Sequence, residues 1–259
     1  MEPILIGIPH DASSSFLRGS ALAPSRIRKT LASPSSNLFS ESLDDCAELL
    51  DHGDLPLQNN SDDRLSIEAA IRERVGAGQR PLCLGGDHSI SYPILRGLGS
   101  THKNLTLVVV DAHPDLYDEF QGDPYSHACW LPRSLEEGLI KRVVQVGIRG
   151  LTPNQEKNIS RFGIEVIDMR GWAAGKRPVL EGPIYLSIDI DGIDPAFAPG
   201  VSHREPGGLS VREVITLVQS LPAPLVGADI VEYNPDQDWQ DVTARVAAKL
   251  VKEVASRMR

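Results

Sequence analysis

Leu105-Thr106-Leu107-Val108-Val109-Val110-Asp111-Ala112-His113-Pro114-Asp115 joins a short apolar run directly to three metal-capable side chains at alternate positions. A strand with one wet face alternates apolar and polar residues. A run without strict alternation reads as a strand covered on both faces, as in a parallel sheet. Alternate residues of an extended chain point the same way, so Asp111, His113 and Asp115 are expected to converge at the end of that strand. Carboxylates and an imidazole suit a divalent ion such as Mn, Zn or Fe.

Similar runs recur outward from this stretch. Ile4 to Ile8, Pro81 to Leu84, Val143 to Ile148, Ile164 to Ile167, Ile184 to Ile188 and Leu225 to Ile230 read as further strands. Helical patterns lie between them at Pro24 to Leu31, Arg64 to Val75, Ile90 to Leu98, Pro153 to Phe162, Val211 to Leu221 and Val242 to Met258. In the last, Val242, Val246, Leu250 and Val254 form a stripe expected to face the core. Ser33 to Ser42, Asn59 to Asp63 and Gly192 to Gly208 read as loops. Alternating strand and helix predicts an α/β fold, a mainly parallel sheet with helices on both faces. With no repeat and no linker-like composition, residues 1–259 read as one domain.

Composition narrows the function classes. A net charge of −9 with no dense Lys/Arg block argues against nucleic acid. No stretch has the apolar length of a membrane span, and Met1 to Ile8 lacks the layout of a signal peptide. Cys46, Cys83 and Cys129 are odd in number and widely spaced, which suits reduced thiols in a cytoplasm.

Two more strand ends carry the same chemistry. Pro81 to Leu84 runs into Gly85-Gly86-Asp87-His88-Ser89, whose glycines permit a sharp turn that lifts His88 to the top of the sheet. Ile184 to Ile188 runs into Asp189-Ile190-Asp191, again at alternate positions, while Asp194 before Pro195 reads as a turn former. Open α/β sheets bind ligands outside the carboxyl ends of their strands. His88, Asp111, His113, Asp115, Asp189 and Asp191 give two imidazoles and four carboxylates. Packed together without cations, four carboxylates would repel or have to bind protons. Two divalent ions with bridging Asp ligands resolve this, and the absence of Cys disfavours structural zinc.

These residues resemble the ureohydrolases, the family that includes arginase and agmatinase. The resemblance rests on Gly85 to Ser89, Asp111 to Asp115, and a third signature with Ser187-Ile188-Asp189-Ile190-Asp191, Pro195, Pro199-Gly200 and Gly208. Ser15 to Gly19 and Pro24 to Arg28 look like the family's amino-terminal segment. The resemblance implies a three-layer αβα sandwich around an eight-stranded parallel sheet, with two Mn2+ at the strand ends. Other divalent transition ions are compatible with these donors. It implies that His88, Asp111, Asp115 and Asp189 hold one ion, and that Asp111, His113, Asp189 and Asp191 hold the other. It further implies a small cationic guanidino substrate and a homo-oligomer, a trimer or hexamer.

Hydrolysis of a guanidinium needs an activated water, because charge delocalisation deactivates its carbon; Asp115 is placed to orient that water. The leaving amine needs a proton from a group with a pKa near neutrality. His127, in Asp123-Pro124-Tyr125-Ser126-His127, matches the family's proton-shuttling histidine. Glu232, after the strand Leu225 to Ile230, matches the Glu that pairs with the substrate guanidinium.

Substrate choice is read from the loops. Tyr117 stands where arginases place an Asn that recognises the amino acid end, and Arg149 to Pro153 lacks the paired acids found there. Both departures point to agmatine, cleaved to putrescine and urea. The alternatives are arginine, guanidinobutyrate or formiminoglutamate as substrate, or a silent family member that only binds metal. Trp130 is large enough to shape the pocket, although most Trp residues are packing anchors; His203 and Arg204 are left outside the site, Arg204 as a solvated loop residue.

Overall fold

The computed structural model describes residues 2–222 and 224–259. Its strands are β1 (Glu2–Ile8), β2 (Leu50–Asp54), β3 (Gln79–Gly85), β4 (Thr106–Val110), β5 (Arg142–Val146), β6 (Glu165–Ile167), β7 (Ile184–Asp189) and β8 (Gly227–Val231). They form one sheet in the order β2-β1-β3-β8-β7-β4-β5-β6. Every ladder between them is parallel. The helices are α1 (Ala23–Leu31), α2 (Asp63–Gly76), α3 (Ser91–Leu98), α4 (Trp130–Glu136), α5 (Pro153–Phe162), α6 (Met169–Ala173), α7 (Val211–Ser220) and α8 (Val242–Arg257).

Side-chain alternation in β4 separates the two cores. Val108 and Val110 pack with Ile27, Val214, Leu217, Leu250 and Val254 on the face covered by α1, α7 and α8. Leu107 and Val109 pack with Ile67, Ile71, Ile94, Leu98 and Leu131 on the face covered by α2, α3 and α4. Both faces of the strand are therefore dry, which is why its sequence lacks alternation. The expected three-layer αβα architecture is the one observed.

Several details differ from the sequence reading. The polar stretch of β2 is an exposed edge strand, paired on one side only, so no apolar run announces it. The short helices α4 and α6 lie outside the helical patterns read from the sequence. β5 stops at Val146 because Gly147 turns at a φ of +100°. The stripe of α8 is rotated: Val242 and Val246 lie at its margin, and Ala244, Ala247, Ala248, Leu250 and Val251 are buried. Alanines bring that helix close to the sheet.

The order of strands decides where function can sit. β3, β8, β7 and β4 are consecutive neighbours at the centre of the sheet. Their carboxyl ends carry His88, Glu232, Asp189 with Asp191, and the opening triplet. Four segments far apart in sequence thus deliver their chemistry to one crevice.

Candidate metal and guanidino site

Crowding places the first signature. A Cβ at Gly86 would lie 1.7 Å from the carbonyl oxygen of His10, and one at Gly85 would lie 2.6 Å from side-chain atoms of Ile90 and Val231. Neither glycine has a positive φ, so the pair is required by close approach of β1 and β8 rather than by a left-handed turn. Asp87 caps the following turn through Ser89, and its other oxygen accepts from the backbone of Ser13.

His88 is fully buried, and a chain of hydrogen bonds fixes its tautomer. Asp229 accepts from Ser91, from Tyr185 and, at 2.6 Å, from Ser187 Oγ. Because the Ser187 hydroxyl hydrogen is spent on a carboxylate, its oxygen accepts from His88 Nε2 at 2.8 Å. The Nε2 proton of His88 is thereby spoken for, and Nδ1 is the atom left to face the carboxylates, which push the imidazole well above its ordinary value despite burial. Nδ1 lies 3.3 Å from Asp111 Oδ2, 3.2 Å from Asp115 Oδ2 and 3.1 Å from Asp189 Oδ2.

Across Asp111 stands a second group. His113 Nδ1 lies 3.0 Å from Asp191 Oδ2 and 3.8 Å from Asp111 Oδ1. Backbone N–H groups orient three of the carboxylates: His113 N on Asp111, Asp191 N on Asp189, and Ala112 N on Asp191. The donor atoms of His88, Asp111 and Asp115, and those of Asp111, His113 and Asp191, fall into two triads, each within 4.8 Å. Asp111 belongs to both. Asp189 adjoins His88 in the first group and, through its Oδ1, the backbone of Asp191.

The electrostatics call for cations. Burial, with repulsion from Asp115 and Asp191, pushes the Asp111 carboxyl up to about 8. Burial, with repulsion from Asp191 and Asp111, pushes Asp189 well above the carboxylate range. Burial opposes charge on His113, yet Asp191 more than offsets it and holds the imidazole at about 11. Protons are thus trapped on groups that would be bare if positive charge lay between them. Asp111 Oδ2 is buried and accepts no hydrogen bond, although such atoms are almost always satisfied. An oxygen-rich donor set with two imidazoles and an orphaned carboxylate oxygen fits a pair of divalent transition ions.

Beside this floor lies the His127–Glu232 pair. Glu232 sits at a φ of +63° directly after β8. Its Oε1 accepts from His88 N and from His127 Nδ1, each at 2.8 Å. Burial disfavours charge on both groups, but their attraction prevails, lifting His127 to about 9 and lowering Glu232. On its far side, His127 Nε2 meets Ser15 Oγ at 2.8 Å and Ser15 N at 3.2 Å. The backbone N–H favours a bare Nε2, while Glu232 favours the imidazolium. The Ser15 hydroxyl serves either state, donating to one and accepting from the other.

A cleft opens above, lined by Ser15, His113, Asp115, Tyr117, His127, Gln155 and His203 among others. All six predicted ligand positions, with His127 and Glu232, therefore gather in or beside one crevice. Tyr117 lines the cleft, with its hydroxyl 3.3 Å from Thr152 Oγ1. His203 belongs to the cleft rather than outside it: its ring lies 5.9 Å from that of His113 and 5.6 Å from that of His127. Arg204 is held on the loop, bonded to the carbonyls of Pro199 and Gln237. Asp194 is a turn former as read, accepting from Ala196, Gly207 and Gly208. Sequence reasoning missed Ser15, Gln155 and Asp229. A lone acid inside the buried strand Gly227–Val231 was the one available signal for the last.

The Arginase family model matches residues 2–256. The chain is 44% identical to Arginase 1, mitochondrial, of Arabidopsis thaliana over 98% of its own length and 80% of that protein's. It is 36% identical to guanidinopropionase of Pseudomonas aeruginosa, over 96% of its own length and 84% of the relative's. The solved arginase from Medicago truncatula superposes with a TM-score of 0.92 at 40% identity, covering 99% of this chain and 87% of that one. The agmatine ureohydrolase of Thermoplasma volcanium superposes at 0.88 with 29% identity, covering 99% and 89%. The expectation that Tyr117 turns the chain from arginine to agmatine thus runs against the more similar of these relatives, which are named arginases. On these matches the chain belongs to the arginase family, hydrolases acting on carbon–nitrogen bonds of guanidino compounds.

Proposed function

We propose that the protein hydrolyses L-arginine to ornithine and urea. The observation that carries the choice of substrate is the outer wall of the cleft. Thr152 caps α5, and Gln155 Oε1 accepts from both Thr152 N (3.1 Å) and Thr152 Oγ1 (3.0 Å). A backbone N–H only donates, so the oxygen end of this amide is fixed and its NH2 end is left over. Among the described residues no protein acceptor takes that NH2, and Gln155 lines the cleft beside Tyr117. Such a donor suits a substrate that ends in a carboxylate. Asp115, at the floor, is the only acid lining this cleft among the described residues, so nothing on the outer wall favours the bare ammonium of agmatine. The likeness to plant arginases and to a guanidinopropionase supports the same direction, since those named substrates carry carboxylates.

In this reading His88, Asp111, Asp115 and Asp189 hold one ion, and Asp111, His113, Asp189 and Asp191 the other. Manganese, or another divalent transition ion, would supply the Lewis acidity that makes a nucleophilic water available at neutral pH. The residues do the rest. Glu232 Oε2, which has no hydrogen-bond partner among the described residues, receives a guanidinium N–H, while Oε1 keeps hold of His127. Water oxygen bonds to the guanidino carbon and the bond to the alkyl nitrogen breaks; of the two protons the water gives up, one reaches the amine by way of Asp115 and the other replaces the proton that His127 donates. That nitrogen leaves with a proton delivered through His127, relayed by Ser15. Asp115 orients the water, and Gln155 holds the far end of the substrate on a wall that Tyr117 builds with Thr152.

Urea release with Mn2+ from arginine, agmatine, 3-guanidinopropionate and 4-guanidinobutyrate tests the proposal. Arginine is expected to have the highest kcat/KM, by about tenfold or more over agmatine, the scale of one charge-assisted hydrogen bond. Preference for agmatine would overturn it.

The continuous sheet supports reading residues 1–259 as one domain. A trimer or hexamer is proposed for the assembly, and light scattering would test it. Among the described residues no helix is long and apolar enough to cross a membrane. Plant relatives are named as mitochondrial or chloroplastic, so they lend no support to the cytoplasmic expectation. Three buried free thiols suit any reducing compartment.

A further inference from the structure

Asp115 differs from the other carboxylates of the cluster in how it is held. Asp111, Asp189 and Asp191 each accept a backbone N–H. Among the described residues no backbone N–H reaches the Asp115 side chain, which hangs from a residue with a φ of +50°. Its hydrogen-bond donor is the indole of Trp130, whose Nε1 lies 3.0 Å from Asp115 Oδ2. The same indole, 1% exposed, stacks on His88 with ring centroids 4.5 Å apart and planes at 28°. One side chain therefore engages both members of the first triad outside Asp111, and among the described residues it makes no hydrogen bond or ring stacking with the second.

We propose that Trp130 is a positioning residue for the half of the metal centre built on His88 and Asp115. An indole N–H aligns a carboxylate without neutralising it, where Lys or Arg would compete with a cation for the same charge. Its flat face excludes water from the back of His88 and fixes the ring plane, complementing the Ser187 bond that fixes the tautomer. Trp130 thus does for Asp115 what backbone amides do for the other three carboxylates.

This inference rests on the reading of the cluster as a two-ion site, and one experiment separates the two. Apoprotein is titrated with Mn2+ by calorimetry for the wild type, for Trp130→Phe, and for a protein carrying β-(3-benzothienyl)alanine at position 130. The last keeps the shape and stacking of indole but replaces N–H with sulfur, so it isolates the hydrogen bond even where Trp130→Phe fails to fold. The isostere is expected to bind one of the two ions about tenfold or more weakly, the other within about threefold of wild type, as for loss of one outer partner of a metal ligand. Its apoprotein should melt as the wild type does. Wild-type affinity for both ions in the isostere would overturn the role of Trp130, as would equal weakening of both, which general loosening would produce. Failure of the wild-type apoprotein to take up any ion would instead overturn the two-ion reading itself.

Discussion

The floor of the cleft is made from the ends of four adjacent strands, whereas its outer wall comes from a loop and the first turn of α5. On the floor, Asp189 ends a hydrogen-bonded ladder, Asp111, Asp191 and Glu232 sit one or two residues beyond one, and Asp115 lies further along the loop after β4; each is gripped by backbone amides or buried side chains. On the wall, Tyr117 and Gln155 each depend on Thr152. Rigid strand ends suit chemistry that tolerates little displacement. A wall built on side-chain contacts can change with one residue and leave the reaction intact, which is how one fold comes to serve several guanidino substrates.

If that contrast is right, damage to the floor is catastrophic and damage to the wall selective. Asp111→Asn removes the carboxylate common to both triads. Elemental analysis should find both ions lost and turnover reduced by about a thousandfold or more, the scale of several kcal/mol of Lewis-acid stabilisation. Full metal content in that variant would break the account of Asp111 as the shared ligand. Next in size is His127→Ala, expected to lower kcat by about a hundredfold or more with metal content unchanged. Loss of the ions would show His127 to be a scaffold for the centre and not its proton carrier.

Glu232 links floor and proton carrier, and pH dependence reads that link. With its pKa lifted to about 9, His127 is protonated below that pH, so activity requiring its proton should fall as pH rises through about 9. Glu232→Gln removes the main partner stabilising the imidazolium. The alkaline limb should then move down towards the ordinary imidazole value of 6.5, or below it because burial is left unopposed. An unmoved limb would mean that another group titrates there. Smaller still is Asp229→Asn, which disturbs the chain through Ser187 to His88 at a distance from any ligand atom. Mn2+ affinity should drop about tenfold to a hundredfold. Unchanged affinity would show that the tautomer of His88 is held by other means.

The floor was readable in the sequence because chain order lays strand and chemistry side by side: apolar run, then Asp111, His113, Asp115. The same holds for Asp189 and Asp191. Other parts were not readable, for physical reasons. The Glu232–His127 bond joins residues 105 apart, and only strand order brings them together. Gln155 looks like an ordinary capping-box residue, and it is one; its second face exists only because Thr152 consumes the oxygen of the amide. Trp130 has the composition of a packing residue, and its donor atom matters only once Asp115 is beneath it. The agmatine reading leaned on Tyr117 and on the missing acids of Arg149 to Pro153, yet the Tyr117 hydroxyl is engaged with Thr152, so its identity speaks about the wall and not directly about the end of the substrate.

The wall is tested by Gln155→Glu, the mildest change and the most discriminating. A Glu at this position keeps both bonds to Thr152, as capping boxes do, and replaces the inward NH2 with a negative oxygen. The measurement is the ratio of kcat/KM for arginine to that for agmatine, in wild type and variant, with melting temperature as the check on folding. The account predicts a ratio above one in the wild type that falls by about tenfold to a hundredfold in the variant, the value of one charge-assisted hydrogen bond lost and a repulsion gained. A ratio that stays constant while both substrates slow equally would contradict it.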